Sequence, residues 1–139
     1  MKYLLILLFS VFIYTGCGGN EQPKEIKGKW EGKDTSGVTQ VFSFKENNEA
    51  SWQMKSSIFN MTFDINYYLD NSANPYKVKF SNFKEGPLAG KNLYCIIKFT
   101  DENTMKIDCE AAESDVDQST AYPEDFTDET LILHKVKEQ

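Results

Sequence analysis

Apolar and polar residues alternate without a break along residues 59–70. Phe59, Met61, Phe63, Ile65, Tyr67 and Leu69 fall on one side, and Asn60, Thr62, Asp64, Asn66, Tyr68 and Asp70 on the other. A period of two puts the first set on one face of a β-strand and the second on the opposite face. At about 3.3 Å per residue this strand approaches ~40 Å, long enough to predict a bend or bulge near its middle. Shorter strand-like runs occupy residues 28–31, 38–44, 51–55, 76–83, 93–99, 104–110 and 130–136. The connecting stretches DTSG (34–37), ENNE (46–49), NSANP (71–75) and TDENT (100–104) are rich in turn formers. No segment beyond residue 25 carries a convincing helical period. Eight strands at short spacing predict an all-β domain over residues 26–137. A single up-and-down antiparallel barrel is preferred to a meander sandwich, because closure leaves no sheet edge exposed.

The pattern also fixes one register. A three-residue turn at Asp101, Glu102 and Asn103 sets Thr100 opposite Thr104, Phe99 opposite Met105, Ile97 opposite Ile107 and Cys95 opposite Cys109. These apolar pairs share one face, while Lys98, Lys106, Asp108 and Glu110 take the other, and a slip by one residue would destroy the match. Directly opposed residues lie ~4.5 Å apart at Cα when not hydrogen-bonded to each other, near the lower limit for a disulfide. Cys95 and Cys109 therefore have two readings, a cross-strand disulfide in an oxidising compartment or two buried thiols acting as small apolar residues. A metal site is disfavoured, since neither has a neighbouring cysteine and the only histidine is distant.

The compartment is addressed by the first residues, MKYLLILLFSVFIYTGC. One cation, Lys2, precedes an apolar run over residues 3–14. As a helix that run measures about 18 Å, too short for a hydrocarbon core of ~30 Å, and it reads as a secretory signal over residues 1–16. Thr15-Gly16-Cys17 resembles the lipobox of bacterial lipoproteins, with Tyr14 standing where the box usually has an aliphatic residue. The resemblance implies that Cys17 is acylated, for example with palmitate, and becomes the mature N-terminus. Residues 17–25, containing GGNEQPKE, then form a flexible tether. The expected location is the bacterial cell envelope, lipid-anchored, at the outer membrane or cell surface rather than the inner membrane.

Without residues 1–16 the chain has 123 residues, enough for one domain with a core. Lys2 leaves with the signal, so 14 Lys face 21 acids, a net charge of −7, and there is no Arg. That balance excludes nucleic acid as a partner and bidentate capture of phosphate or carboxylate. The 15 remaining aromatic residues must fill the core or line a pocket within it.

Three stretches together resemble the small lipocalin-like, calycin-type domains of bacterial exported proteins. Gly28-Lys29-Trp30 matches the G-x-W that opens such barrels. YYLDNSANPYKVKF (67–80) resembles the strand–Asp–Pro–strand passage, and LYCIIKFTDENTMKID with YPEDF (122–126) and LILHKVK (131–137) resembles the late hairpin, Pro-x-x-Phe and closing strand. The likeness implies a barrel with Trp30 as the plug of one end. The family's Thr-Asp-Tyr motif and final-strand Arg are not apparent, and Lys135 or Lys137 is the available cation over Trp30.

Other features carry little chemistry. The segment 101–129 holds eleven acids and one Lys, with Glu113, Asp115 and Asp117 at alternate positions. A calcium loop needs a glycine where this segment has Gln118, so a solvated loop is the preferred reading. His134 has no motif supplying a nucleophile, and no catalytic residue, metal or cofactor is expected. The inward set Phe42, Phe44, Trp52, Phe63, Tyr67, Ile97 and Phe99 either lines a cavity for a small apolar or amphipathic ligand or fills the barrel. The first outcome makes the chain a non-enzymatic binding module, its specificity set by polar groups near Tyr67, Tyr76 and Tyr94. The second makes it a structural or interaction lipoprotein of adhesin or inhibitor type, meeting an envelope or extracellular protein through its loops.

Overall fold

The computed structural model describes residues 25–139. The signal expected at 1–16, the acylation expected at Cys17 and the expected tether up to residue 24 fall outside the described residues. Eight strands follow one another: β1 (Gly28–Lys33), β2 (Thr39–Phe44), β3 (Glu49–Lys55), β4 (Asn60–Asp70), β5 (Tyr76–Ser81), β6 (Lys91–Asp101), β7 (Thr104–Glu113) and β8 (Leu131–Lys135). Each pairs antiparallel with the next and β8 returns to β1, closing an up-and-down barrel. The seam is short, with Trp30 opposite Lys135 and Glu31 opposite His134. The amide of Val136 donates to Lys29 O at 2.8 Å and extends it. Gly32 permits this approach, because a Cβ there would stand 2.2 Å from Ile132 O. The side-chain period of two carries through the strands up to the end of β6, and its inward members, including Trp30, Phe42, Phe44, Val78, Phe80, Ile97, Met105, Ile107 and Leu133, form one core.

Four expectations need correction. The long strand β4 has no bulge: it pairs with β3 over residues 60–66 and with β5 over residues 66–70, with no register shift in either ladder. Strand stagger in a closed barrel hands β4 from one neighbour to the next, which lets it run its full length without an extra residue. The β6–β7 turn is tighter than three residues. Phe99 faces Met105 and Cys95 faces Cys109 as the pattern requires, but the register then shifts and Asp101 pairs with Thr104. The bulge absorbs the odd residue and leaves Glu102 and Asn103 as the turn. One helical turn, α1 (Gln118–Ala121), is capped by the Asp117 side chain, which accepts from the Ser119 amide at 2.9 Å.

The fourth correction concerns the acidic loop, which is not simply solvated. Residues 114–130 form a strap with Ala121 and Pro123 buried and Tyr122 half-buried. The Tyr122 ring meets Tyr94, an outward and fully buried β6 residue, edge to face at 5.1 Å. Asp108, also outward and buried, anchors the strap's far end: its Oδ2 accepts from the Thr127 amide (2.8 Å), Thr127 Oγ1 (2.7 Å) and Thr130 Oγ1 (2.6 Å). Aromatic packing and hydrogen bonds to one carboxylate thus outweigh the solvation that the acids alone would favour.

Candidate functional site

The barrel is plugged by Trp30 at one end, where a cleft of about 330 Å³ lined by Ile26, Tyr67 and Leu69 lies beside the plug, and it opens into an apolar-walled cavity at the other. At the filled end Trp30 is fully buried and donates its indole N–H to Ile26 O at 2.7 Å. Phe99 packs edge-on against it with ring centroids 5.8 Å apart, and Tyr76 packs on Phe99 at 5.9 Å. Lys135 Nζ stands 5.3 Å from the centre of the Trp30 ring, so Lys135, not Lys137, supplies the cation. Toward the middle, Phe42, Phe44 and Phe80 pack ring on ring at 5.6–6.5 Å, with Ile97 fully buried in the same core.

The opposite end is bounded by the β1–β2, β3–β4 and β5–β6 loops and by the strap. Part of it is roofed by residues 82–90, where Phe83 packs against Trp52 and Phe63, each at 6.3 Å. Gly86, at φ +78°, presses on Phe63, whose ring would lie 3.0 Å from a Cβ at that position. Beside this roof a cavity of about 350 Å³ opens, with walls from Phe42, Trp52, Leu93, Ile107 and Leu131. Trp52 and Phe42 stack nearly parallel, 7° apart with centroids at 5.7 Å, so one aromatic wall is a rigid pair.

The polar side of the cavity is a chain of three residues. Trp52 donates its indole N–H to Gln40 Oε1 at 2.7 Å, and Gln40 Nε2 donates to Asp34 Oδ2 at 2.8 Å. Asp34 Oδ1 accepts the amides of Ser36 and Val38, which folds the β1–β2 turn over the rim. Glu129 of the strap stands on the same rim. Asp108 lines the cavity too, under the strap. Burial pushes its carboxyl upward, but hydrogen bonds from Thr130, Thr127 and the Cys109 amide outweigh that and hold it below the usual carboxylate range.

Phe42 and Trp52, then, are the two residues of the expected set that line this cavity, with Phe63 packed behind Trp52. Phe44 and Ile97 lie in the solid middle and Phe99 at the filled end. Tyr67 meets Phe44 at 5.1 Å and donates its hydroxyl to Lys45 O. None of Tyr67, Tyr76 and Tyr94 lines the cavity, and Tyr94 faces out of the barrel beneath Tyr122. Gln40 and Asp34 were missed. The signal for Gln40 is its parity, the one polar residue in the inward series that continues with Phe42 and Phe44.

Cys95 and Cys109 form a disulfide between β6 and β7 with Cα atoms 4.1 Å apart, and half-buried Cys109 borders the cavity. Exposed His134 places Nδ1 3.3 Å from Thr104 Oγ1 and meets no carboxylate among the described residues. No group of three or more His, Cys, Asp or Glu side chains among the described residues is arranged to hold a metal ion. Compared with family models, curated proteins and solved structures, the chain matches none of them.

Proposed function

We propose that this chain is a lipid-anchored envelope lipoprotein whose barrel, of lipocalin-like type, binds a small apolar or amphipathic molecule at its hollow end without acting on it chemically. The observation that carries this reading is the cavity of about 350 Å³ at the barrel mouth, with the stacked Phe42–Trp52 pair on one side. Ligand sites are characteristically concave, mostly apolar and provided with a few converging polar groups, and Gln40, Asp34 and Glu129 supply those here. The plugged Trp30 end leaves the opposite mouth as the entrance. The disulfide and the signal-like first residues both favour an exported, oxidising setting.

A protein-interaction role has its own support in Ile58, 89% exposed in the β3–β4 turn at the mouth. Native mass spectrometry of residues 20–139, exported without the acyl anchor and purified without detergent, separates the two. A discrete adduct released on gentle activation is the expected result. A bare chain that stays bare after incubation with envelope lipids overturns the binding reading and leaves the interaction role.

A further inference from the structure

The ligand's chemistry can be narrowed by what the cavity wall contains. Its charged groups are all acids: Asp34 and Glu129 on the rim, and Asp108, whose Oδ2 is already taken by Thr127 and Thr130. No lysine lines it, although Lys33, Lys55, Lys84 and Lys91 all stand on mouth-end segments. Lys91 is drawn to Glu113 instead, at 3.5 Å. Neither Asp34 nor Glu129 has an ion-pair partner among the described residues. Asp34 accepts three hydrogen bonds, two at Oδ1 and one at Oδ2, so Oδ2 keeps a lone-pair direction for a further donor. Half-buried Trp52 has already given its only N–H to Gln40 and is flanked by Phe42 and Phe63, so it offers a ligand apolar surface and no competing donor.

We infer that the hollow end selects a cationic amphiphile, an amine carrying an apolar tail. The tail lies against Phe42, Leu93, Ile107 and Leu131, and the ammonium sits between Asp34 and Glu129. This rests on the binding reading above and adds the sign of the head group. A carboxylate head would meet two uncompensated acids and no donor of positive charge, so fatty acids are rejected by the same residues that hold an amine.

The test uses residues 20–139 with the disulfide intact. The described barrel contains both partners of every strand pair and its whole core, so this portion folds without the anchor. Decylamine, decanol and decanoate, each below its aggregation threshold, are titrated and followed by tryptophan fluorescence and calorimetry. Decylamine is expected to bind about tenfold or more tightly than decanoate, with decanol between, and its advantage should shrink as salt is raised. Glu129→Gln should weaken decylamine about three- to tenfold and leave decanol unchanged. The Glu129 side chain holds no hydrogen bond among the described residues, so folding is spared. Binding of decanol or decanoate at least as tight as decylamine overturns the inference about charge and leaves the binding reading standing. No binding of any of the three overturns both.

Discussion

The Trp52 indole N–H and Gln40 Oε1 lie 2.7 Å apart, and the same Gln40 reaches Asp34, so the aromatic wall of the cavity is oriented from the β1–β2 turn. Gln40→Leu keeps the volume and breaks both bonds, leaving the indole N–H without an acceptor in a half-buried site. The expected loss is about 1–3 kcal/mol in urea unfolding. In a Trp52→Phe background the same substitution orphans no donor on the ring and should cost measurably less. Equal costs in the two backgrounds would remove the coupling between Trp52 and Gln40.

Asp108 makes the strap sensitive to acid. Its folded-state pKa lies below its unfolded value, so its contribution is present above the unfolded value of about 3.9 and is lost as pH falls through the folded one. The protection factor of the Thr127 amide, its exchange relative to an unfolded amide at the same pH, should be high at neutral pH and fall as acid protonates Asp108 below the usual carboxylate range. Asp108→Ala should make that protection low at every pH and lower stability by about 1.5–3 kcal/mol. A Thr127 amide still protected in the variant would show that the Tyr94–Tyr122 contact holds the strap alone.

Most of the barrel is legible in the chain because its strands are half-buried, and half-burial writes a period of two. The Phe99–Met105, Ile97–Ile107 and Cys95–Cys109 pairs follow from polarity alone, since any slip would bury Lys98 or Lys106. The strap was harder to read, because its contacts are made by outward residues. Tyr94 and Asp108 occupy positions whose parity signals solvent, yet both are buried, where Tyr122, Thr127 and Thr130 of the strap meet them. The cavity was half legible for a related reason. Parity says that Phe42, Phe44, Ile97 and Phe99 all point inward, but position along the barrel axis decides which meets space and which meets another ring. Alternation carries no information about that axis.

The cross-strand disulfide should stabilise chiefly by restricting the unfolded chain. The loop it closes spans a separation of 14 residues, for which the chain-entropy model gives about 3 kcal/mol. Cys95→Ala with Cys109→Ala should therefore lower the unfolding free energy by about 2–3 kcal/mol and remove its dependence on reductant. A pair of free thiols in the purified exported protein, detected by alkylation and mass, would contradict the oxidised pairing.

Trp30 and Lys135 touch the same closure but contribute unequally. Trp30 is fully buried, seals the filled end and satisfies Ile26 O, so Trp30→Ala should cost about 3–5 kcal/mol. Lys135 is half-buried above the ring, and its loss removes a cation–π contact worth about 0.5–1 kcal/mol while β8 keeps its backbone pairing. Urea melts of the two variants should therefore differ severalfold in effect. Similar losses would mean that the ammonium, rather than the ring's burial, closes this end.

Anchoring is tested at a residue outside the barrel altogether. If Cys17 carries the lipid, Cys17→Ser abolishes acylation, so the protein should take up no labelled palmitate and should retain its uncut N-terminus. Stable membrane attachment needs two or more acyl chains, so wild-type protein should partition into the detergent phase. A chain of residues 20–139 behind an ordinary secretory signal should stay in the aqueous one. Because the barrel closes on itself through β1 and β8, that soluble form should unfold at the same urea concentration as the anchored protein. Wild-type protein recovered in the aqueous phase, cleaved before Cys17 and unacylated, would turn the lipobox likeness into an ordinary secretory signal and set the barrel free of the membrane.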